Sequence, residues 1–360
     1  MIRVGVAGAG GWAGASHLPA LRRLPEFEVT AVATTRRESA ERAAAAHGVR
    51  HAFAGVEAMA AHPEVDLVVV SVKAPEHAKA IRAALDAGKH VLSEWPLGAD
   101  TPEAEELAAA AARAGVLNAV VLQGHHLPGA RFVADLLAEG RIGRVESLAL
   151  VASGAPLGGG RIPEGMEWST DPAGGTSLLT IMAGHSLATL DRLVAPFTEV
   201  SARLPRHHDR VAVGDTGRTV PNGVPGQVLL HGLLEGGASA SVTVHGGGAP
   251  APDPFHLRIV GERGTLTITP VQPGMYLNWA DWAIDLSGGP LPVPDAYRTV
   301  PADLPAGPVA SVAAVYAEVA RAVAEDRPAR PDFATAARHH RLLTAIEESA
   351  ADGGVTKEIP

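Results

Sequence analysis

The chain has 360 residues, 46% of them hydrophobic, and a formal net charge of −9 from 30 basic and 39 acidic side chains. At roughly one domain per 150 residues this length points to two domains with ample material for two cores. The absence of cysteine excludes disulfides, thiolate nucleophiles and thiolate metal ligands, and the acidic balance, with no basic run interleaved with aromatics, speaks against direct nucleic-acid binding. Met1-Ile2-Arg3-Val4-Gly5-Val6 runs straight into an apolar strand, and no apolar stretch approaches the ~18 residues of a membrane span. A soluble, cytoplasmic protein with no membrane partner is expected.

Residues 2 to about 122 alternate β-rich runs with alanine-rich helical stretches, the pattern of a parallel sheet covered by helices on both faces. Strands are expected at Arg3–Ala7, Val29–Ala33, Leu67–Val72, His90–Ser93 and Ala119–Gln123. Between them, helices are expected at Ala15–Arg23, Glu38–Ala46, His77–Ala87 and Pro102–Ala114. Gly88 and Gly115 follow two of these helices, where a left-handed residue is cheapest as glycine. Beyond residue 123 a helix at Ala130–Glu139 and a turn at Ile142-Gly143 lead into a strand at Val145–Val151. Period-two alternation then marks Ala238–Val244 and His256–Val260, the latter followed by an Arg263-Gly264 turn into Thr265–Thr269. Helices at Val309–Ala324 and Ala334–Ala350 close the chain. The long connections Gly154–Gly165, Gly246–Pro254 and Gly288–Pro308 are of the kind that form lids or subunit contacts.

The first strand is followed by Gly8-Ala9-Gly10-Gly11-Trp12-Ala13-Gly14, a glycine-rich turn opening a helix. Gly8 would permit the tight turn, Gly10 and Gly11 would admit a pyrophosphate near the backbone, Trp12 stands beside it, and Ala13 or Gly14 would let the helix pack on the strand. Alone such a match could be an ordinary turn, but its place between the first strand and the first helix makes a dinucleotide site the expectation. The second strand ends in Ala33-Thr34-Thr35-Arg36-Arg37, without the carboxylate that holds a free ribose 2′-hydroxyl. Hydroxyls and a guanidinium can bind a 2′-phosphate, so NADP is expected in preference to NAD, with Thr34, Thr35 and Arg36 as its contacts. The bland alternative is that Arg36 and Arg37 merely open a solvated helix. The fold class is thus α/β plus α+β. A Rossmann dinucleotide-binding domain is expected over 1–122, and a substrate-binding and oligomerisation domain with an open, antiparallel-rich sheet over 123–360.

Gly88-Lys89-His90-Val91-Leu92-Ser93-Glu94-Trp95-Pro96-Leu97 resembles a signature of the Gfo/Idh/MocA family of nicotinamide-dependent sugar oxidoreductases, with Trp95 where that family has lysine. Ala83 to Val91 and the turn Gly140-Arg141-Ile142-Gly143-Arg144-Val145 are similar to the family as well. Glu94-Trp95 together with Gly11-Trp12-Ala13 and His17-Leu18-Pro19-Ala20 resembles the branch that contains the fungal galactose-regulon repressor. The resemblance implies a cofactor contact by Val72, Glu94, Trp95 and Pro96, a cis bond before Pro96, and a homodimer or homotetramer built on the open sheet. It also implies a catalytic histidine, His185, but the aspartate expected four residues earlier is Ile181. The family's Thr-Pro-Asn is replaced by Val72-Lys73-Ala74.

Hydride transfer to or from a sugar carbon needs a group that moves a proton at the substrate oxygen. Indole cannot titrate, so Trp95 can only pack or stack. His185 is the best acid–base candidate, and Lys73, at the carboxyl end of a central strand, could supply an ammonium. His125, His126, Glu167 and Trp168 are candidate sugar contacts alongside His185. The pairs His207-His208 and His339-His340 cannot easily chelate from adjacent helical positions, so no metal is assigned. Three functions are compatible with these residues: an NAD(P)-dependent oxidoreductase of a sugar, cyclitol or related polyol or ketone; a silent dinucleotide- or sugar-binding regulator; and a redox-neutral enzyme with a tightly held dinucleotide.

Overall fold

The computed structural model describes residues 1–154, 157–247 and 254–360, so parts of the connections Gly154–Gly165 and Gly246–Pro254 lie outside the described residues. The chain divides into two compact units, one formed by Met1–Gln123 with Thr299–Arg338 and one by Gly124–Arg298 with His339–Pro360. The later part of the chain is therefore not one continuous domain, because residues 299–338 return to the first unit.

In the first unit six strands pair in parallel: β1 (Ile2–Ala7), β2 (Phe27–Thr34), β3 (His51–Ala54), β4 (Leu67–Val70), β5 (His90–Glu94) and β6 (Asn118–Val121). Their order, β3-β2-β1-β4-β5-β6, is that of a Rossmann sheet. β4 reads Leu-Val-Val-Val with every residue buried, as expected of a central strand covered on both faces. The helices of this half are α1 (Gly11–Ala15), α2 (His17–Leu21), α3 (Arg37–His47), α4 (Val56–Ala60), α5 (His77–Asp86) and α6 (Thr101–Ala114). Gly115 takes the left-handed conformation after α6, and Gly88 does the same just past α5.

Three details differ from the sequence expectation. The helix expected over Ala15–Arg23 is two short ones, because Ser16 leaves the helical conformation and its hydroxyl donates to the Trp12 carbonyl at 2.7 Å. β3 and α4 have no counterpart in the sequence expectation, being four and five residues long and too short to carry a periodic pattern. The strand expected to reach Val72 ends at Val70, and Gln123 opens a 3₁₀ turn over Gln123–His125 rather than ending a strand.

The second unit contains α7 (Pro128–Ala138), β7 (Val145–Gly154), β8 (Arg161–Ile162), α8 (Gly184–Leu193), β9 (Phe197–Arg203), β10 (Arg210–Val213), β11 (Thr219–Pro221), β12 (Gln227–Leu234) and β13 (Ser239–Gly246). It continues through β14 (Phe255–Gly261), β15 (Gly264–Pro270), β16 (Trp282–Leu286) and β17 (Gly289–Pro290). A nine-stranded sheet runs β17-β16-β15-β14-β7-β13-β12-β9-β18, where β18 is Lys357–Glu358. All its pairs are antiparallel except β7 with β13. β13 alternates exposed Ser239 and Ser241 with buried Ala240, Val242 and Val244, so this strand turns an apolar face to the core and small polar side chains to the other side of the sheet. β8, β10 and β11 form a small separate sheet around Ile162, Val211 and Val213.

The helix α9 (Pro308–Ala324) packs against α2, and Val312, Val315, Tyr316 and Val319 are buried with Leu18, Leu21 and Phe27. Burying each such side chain contributes about 1.5–3 kcal/mol, which explains why the Rossmann unit recruits this distant segment. The last helix, α10 (Phe333–Ala351), contributes residues to both units. Among the described residues no helix is long and apolar enough to cross a membrane.

Candidate functional site

The glycine-rich turn after β1 is built as a close approach between two strand ends. Gly8 has φ +88°, and a Cβ there would lie 2.2 Å from the Ser71 carbonyl oxygen, so glycine is required on both counts. A Cβ at Gly10 or Gly11 would meet nothing within 4 Å, so the outer side of the turn is open to a ligand. Ala13 is fully buried in the core of the unit. At the tip of β2, Thr34 has its hydroxyl 2.6 Å from that of Ser39 and donates to the Arg36 carbonyl. Thr35 and Arg36 are exposed, and Arg36 makes no ion pair among the described residues, whereas Arg37 pairs with Glu41 at 2.7 Å.

Glu94, at the carboxyl end of β5, joins a relay of side chains that the sequence did not reveal. Its Oε1 accepts from Trp12 Nε1 at 2.9 Å and lies 2.6 Å from His17 Nε2. The other ring nitrogen of His17 is 2.7 Å from the Tyr316 hydroxyl. Both His17 and Tyr316 are fully buried, and burial together with the Glu94 charge drives the Tyr316 phenol well above its ordinary pKa. Glu94 therefore cross-links the glycine-rich turn to the end of β5 and, through His17, to α9. Trp95 is buried, and the bond to Pro96 is cis.

His77, at the start of α5, bridges the loops after β4 and β5. Its Nδ1 is 2.7 Å from the Pro96 carbonyl oxygen and its Nε2 is 3.1 Å from that of Val72. Burial lowers its pKa against the raising effect of those carbonyls, so the ring is neutral and donates to only one of them at a time. Val72 and Pro96, two of the expected cofactor contacts, are thus tied to a common side chain. Lys73 is exposed beside them and opens the short 3₁₀ turn Ala74–Glu76.

In the second unit, α8 is preceded by a π-helical turn over Leu178–Ala183 with a reciprocal cap, the Ser177 hydroxyl accepting from Thr180 N and Thr180 Oγ1 accepting from Ser177 N. Such turns often mark functional sites. His185 lies at the second position of α8, 8% exposed, and its carbonyl accepts from Thr189 Oγ1 at 2.8 Å. Gly124 is pressed against α8, since a Cβ there would sit 1.9 Å from Thr189 Oγ1. That contact brings His125 and His126 beside the same helix, and His125 is hydrogen-bonded to the backbone of Ala188. The His125 pKa is driven well below its ordinary value, first by burial and then by His126 and Arg192, and its Nε2 is buried without a hydrogen-bond partner among the described residues. Also at α8, His339 Nε2 is 2.7 Å from the Gly184 carbonyl oxygen.

Glu167 and Trp168 form a 3₁₀ turn elsewhere in this unit. Glu167 accepts from Arg218 at 2.8 Å, and its own backbone amide together with Arg218 holds its carboxyl below the ordinary range. His125 and His126 thus lie beside the helix that carries His185, whereas Glu167 pairs with Arg218.

A Rossmann sheet with an open glycine-rich turn, followed by a second unit on a large mixed sheet, defines a two-domain dinucleotide-binding protein. Residues 2–122 match the oxidoreductase family with the NAD-binding Rossmann fold, and residues 128–270 match the C-terminal domain of Gal80p. The chain is 32% identical over 250 residues to the dehydrogenase aclE of Aspergillus oryzae, a match covering 67% of each chain. It is 38% identical over 232 residues to a dTDP-3,4-didehydro-2,6-dideoxy-alpha-D-glucose 3-reductase of Actinomadura kijaniata, covering 64% of this chain and 68% of the relative. In fold it is similar to a super-repressor mutant of Gal80p from Saccharomyces cerevisiae, with a TM-score of 0.86 and 22% identity over 99% of this chain and 98% of that one. The chain belongs to the Gfo/Idh/MocA oxidoreductase family, with a C-terminal domain of the Gal80p kind.

Proposed function

We propose that the chain is an NADP(H)-dependent oxidoreductase acting on a sugar, cyclitol or related polyol or ketone. The observation that carries the cofactor half is the tip of β2, where Thr34, Thr35 and an Arg36 that makes no ion pair among the described residues stand in place of a carboxylate. Gly8, Gly10, Gly11, Trp12 and Ala13 would hold the pyrophosphate, and Val72, Glu94, Trp95 and Pro96 would flank the nicotinamide. The bound dinucleotide supplies the hydride chemistry. The chain's own residues position it and move the proton at the substrate oxygen. We assign that proton to His185, with Lys73 as the cationic group near the nicotinamide and His125, His126, Glu167 and Trp168 as substrate contacts. The A. kijaniata relative, a keto-sugar reductase by name, supports a sugar-like substrate.

A second function is favoured by one feature. Trp95 occupies the position of the family lysine and its indole cannot exchange protons, and the similarity to galactose/lactose metabolism regulatory proteins favours a silent dinucleotide- or sugar-binding regulator. The test is titration with NADPH and NADH followed by absorbance-monitored turnover on keto-sugars and ketocyclitols, with His185→Ala as the control. Dinucleotide oxidation that falls by about 100-fold or more in the variant supports the oxidoreductase. Tight binding without oxidation supports the regulator or a redox-neutral enzyme, and turnover unaffected by His185→Ala removes that residue from the chemistry.

A further inference from the structure

The first unit carries a convergence of side chains that neither the dinucleotide site nor the proposed catalysis uses. His51 opens β3, the edge strand of the Rossmann sheet, while His62 and Glu64 lie in the connection that leads into β4. One ligand atom from each of these three residues lies within 4.8 Å of the others, the one such group of three among the described residues. His51 Nε2 is 2.7 Å from Glu64 Oε2, and the two imidazole centroids are 4.4 Å apart. Phe53 packs beside both rings, 6.4 Å from His51 and 5.5 Å from His62, giving the cluster an apolar wall.

The backbone of the cluster is fixed before any ligand arrives. His51 is paired to Ala31 in the sheet, Thr30 Oγ1 donates to the Glu64 carbonyl at 2.6 Å, and Val65 N donates to the His62 carbonyl at 3.2 Å. The His51 hydrogen bond holds the Glu64 carboxyl below its ordinary range, so it is anionic at neutral pH. We propose that His51, His62 and Glu64 form a binding site for a divalent transition metal, with zinc the best match. Two imidazoles and one carboxylate are a zinc ligand set, and a tetrahedral ion with bonds of about 2.0–2.1 Å asks its ligand atoms to stand roughly 3.4 Å apart, so the 2.7 Å His51–Glu64 contact opens around the ion while all three ligand atoms already lie within 4.8 Å of one another. Water completes the coordination on the solvent side, where the His51 and Glu64 side chains are 32% and 39% exposed.

Two existing interactions oppose the ion. It displaces the proton shared by His51 and Glu64 and the 3.2 Å bond from Glu64 N to His62 Nδ1, so uptake weakens as pH falls. Arg50 stands 3.6 Å from Glu64 Oε2 and is otherwise held by Glu28, and its charge lowers the affinity. The site is structural or regulatory. His51 opens β3 and Glu64 precedes β4, so the cluster stands at the amino ends of these strands, whereas dinucleotides bind such sheets at the carboxyl ends.

The test is calorimetric titration of the chelator-treated full chain with Zn²⁺, with Co²⁺ absorption as a report of coordination and NADPH titration as a check on folding. One equivalent is expected to bind, with affinity at least about tenfold weaker in His51→Ala and in His62→Ala and the dinucleotide affinity unchanged. Arg50→Gln, which removes the competing cation and its ion pair to Glu28 but leaves all three ligands in place, is expected to tighten binding several-fold. No stoichiometric uptake, or uptake equal in wild type and both histidine variants, overturns the proposal. If both histidine variants misfold, an Arg50→Gln affinity that is unchanged or weaker overturns it instead.

Discussion

Tyr316 and His17, 299 positions apart in sequence, share a 2.7 Å hydrogen bond in the core of the first unit. The same imidazole reaches Glu94 with its other nitrogen, so a phenol, an imidazole, a carboxylate and the Trp12 indole form one continuous chain. Breaking it at the far end leaves a buried ring nitrogen without a partner. Tyr316→Phe is therefore expected to cost about 1–3 kcal/mol of unfolding free energy, read from the urea midpoint. It is also expected to weaken NADPH binding, because Glu94 loses part of what fixes it. Unchanged stability would mean that water replaces the hydroxyl.

Gly8→Ala tests the turn itself. A methyl group at a φ of +88° and 2.2 Å from the Ser71 carbonyl oxygen forces β1 and β4 apart at their ends. A loss of at least about 2 kcal/mol is expected, together with loss of measurable dinucleotide binding by fluorescence titration. Gly10→Ala, whose Cβ meets nothing within 4 Å, should leave stability within about 1 kcal/mol of wild type and affect only the binding.

Arg36→Glu separates the two cofactors. Placing a carboxylate beside the expected 2′-phosphate should weaken NADPH binding by about tenfold or more while leaving NADH nearly unchanged or slightly tighter. Equal weakening of both cofactors would show that Arg36 acts on something the two share.

His125 should make the second unit sensitive to acid. Its folded pKa lies well below 6.5, so as pH falls through 6.5 the unfolded chain takes up a proton that the folded chain refuses. The unfolded state then binds more protons, and stability declines with falling pH until the folded pKa is reached. Thermal midpoints measured between pH 7.5 and 5 should fall less steeply in His125→Gln than in wild type, even though the variant begins from a lower value. Parallel curves would place the acid sensitivity on other groups.

Much of the architecture was legible because it rests on local rules. The buried Leu67–Val70 run and the glycines after α5 and α6 announce themselves in a few adjacent residues. β3 leaves no such mark, because an edge strand of four residues is fixed by its neighbour β2, not by a pattern of its own. The glycine-rich turn was legible too, yet the reason for Gly8 was not, since Ser71 is its steric partner. Glu94 could be singled out by resemblance, but its partners His17 and Tyr316 are brought to it only by the docking of α9 on α2. No spacing in the sequence encodes that contact. The gathering of His125 beside α8 depends in the same way on the tight seat of Gly124 against Thr189.

The return of residues 299–338 to the first unit has a consequence for synthesis on the ribosome. Domains usually fold as they emerge, amino-terminal first. Here the nascent chain presents all six strands of the nucleotide-binding sheet long before Val312, Tyr316 and Val319 exist to cover Leu18, Leu21 and Phe27. For the time it takes to translate some 175 intervening residues, 124–298, that apolar surface stays open to solvent or to a chaperone. The unit begun first thus waits for a segment that leaves the ribosome only after most of the other unit has been made.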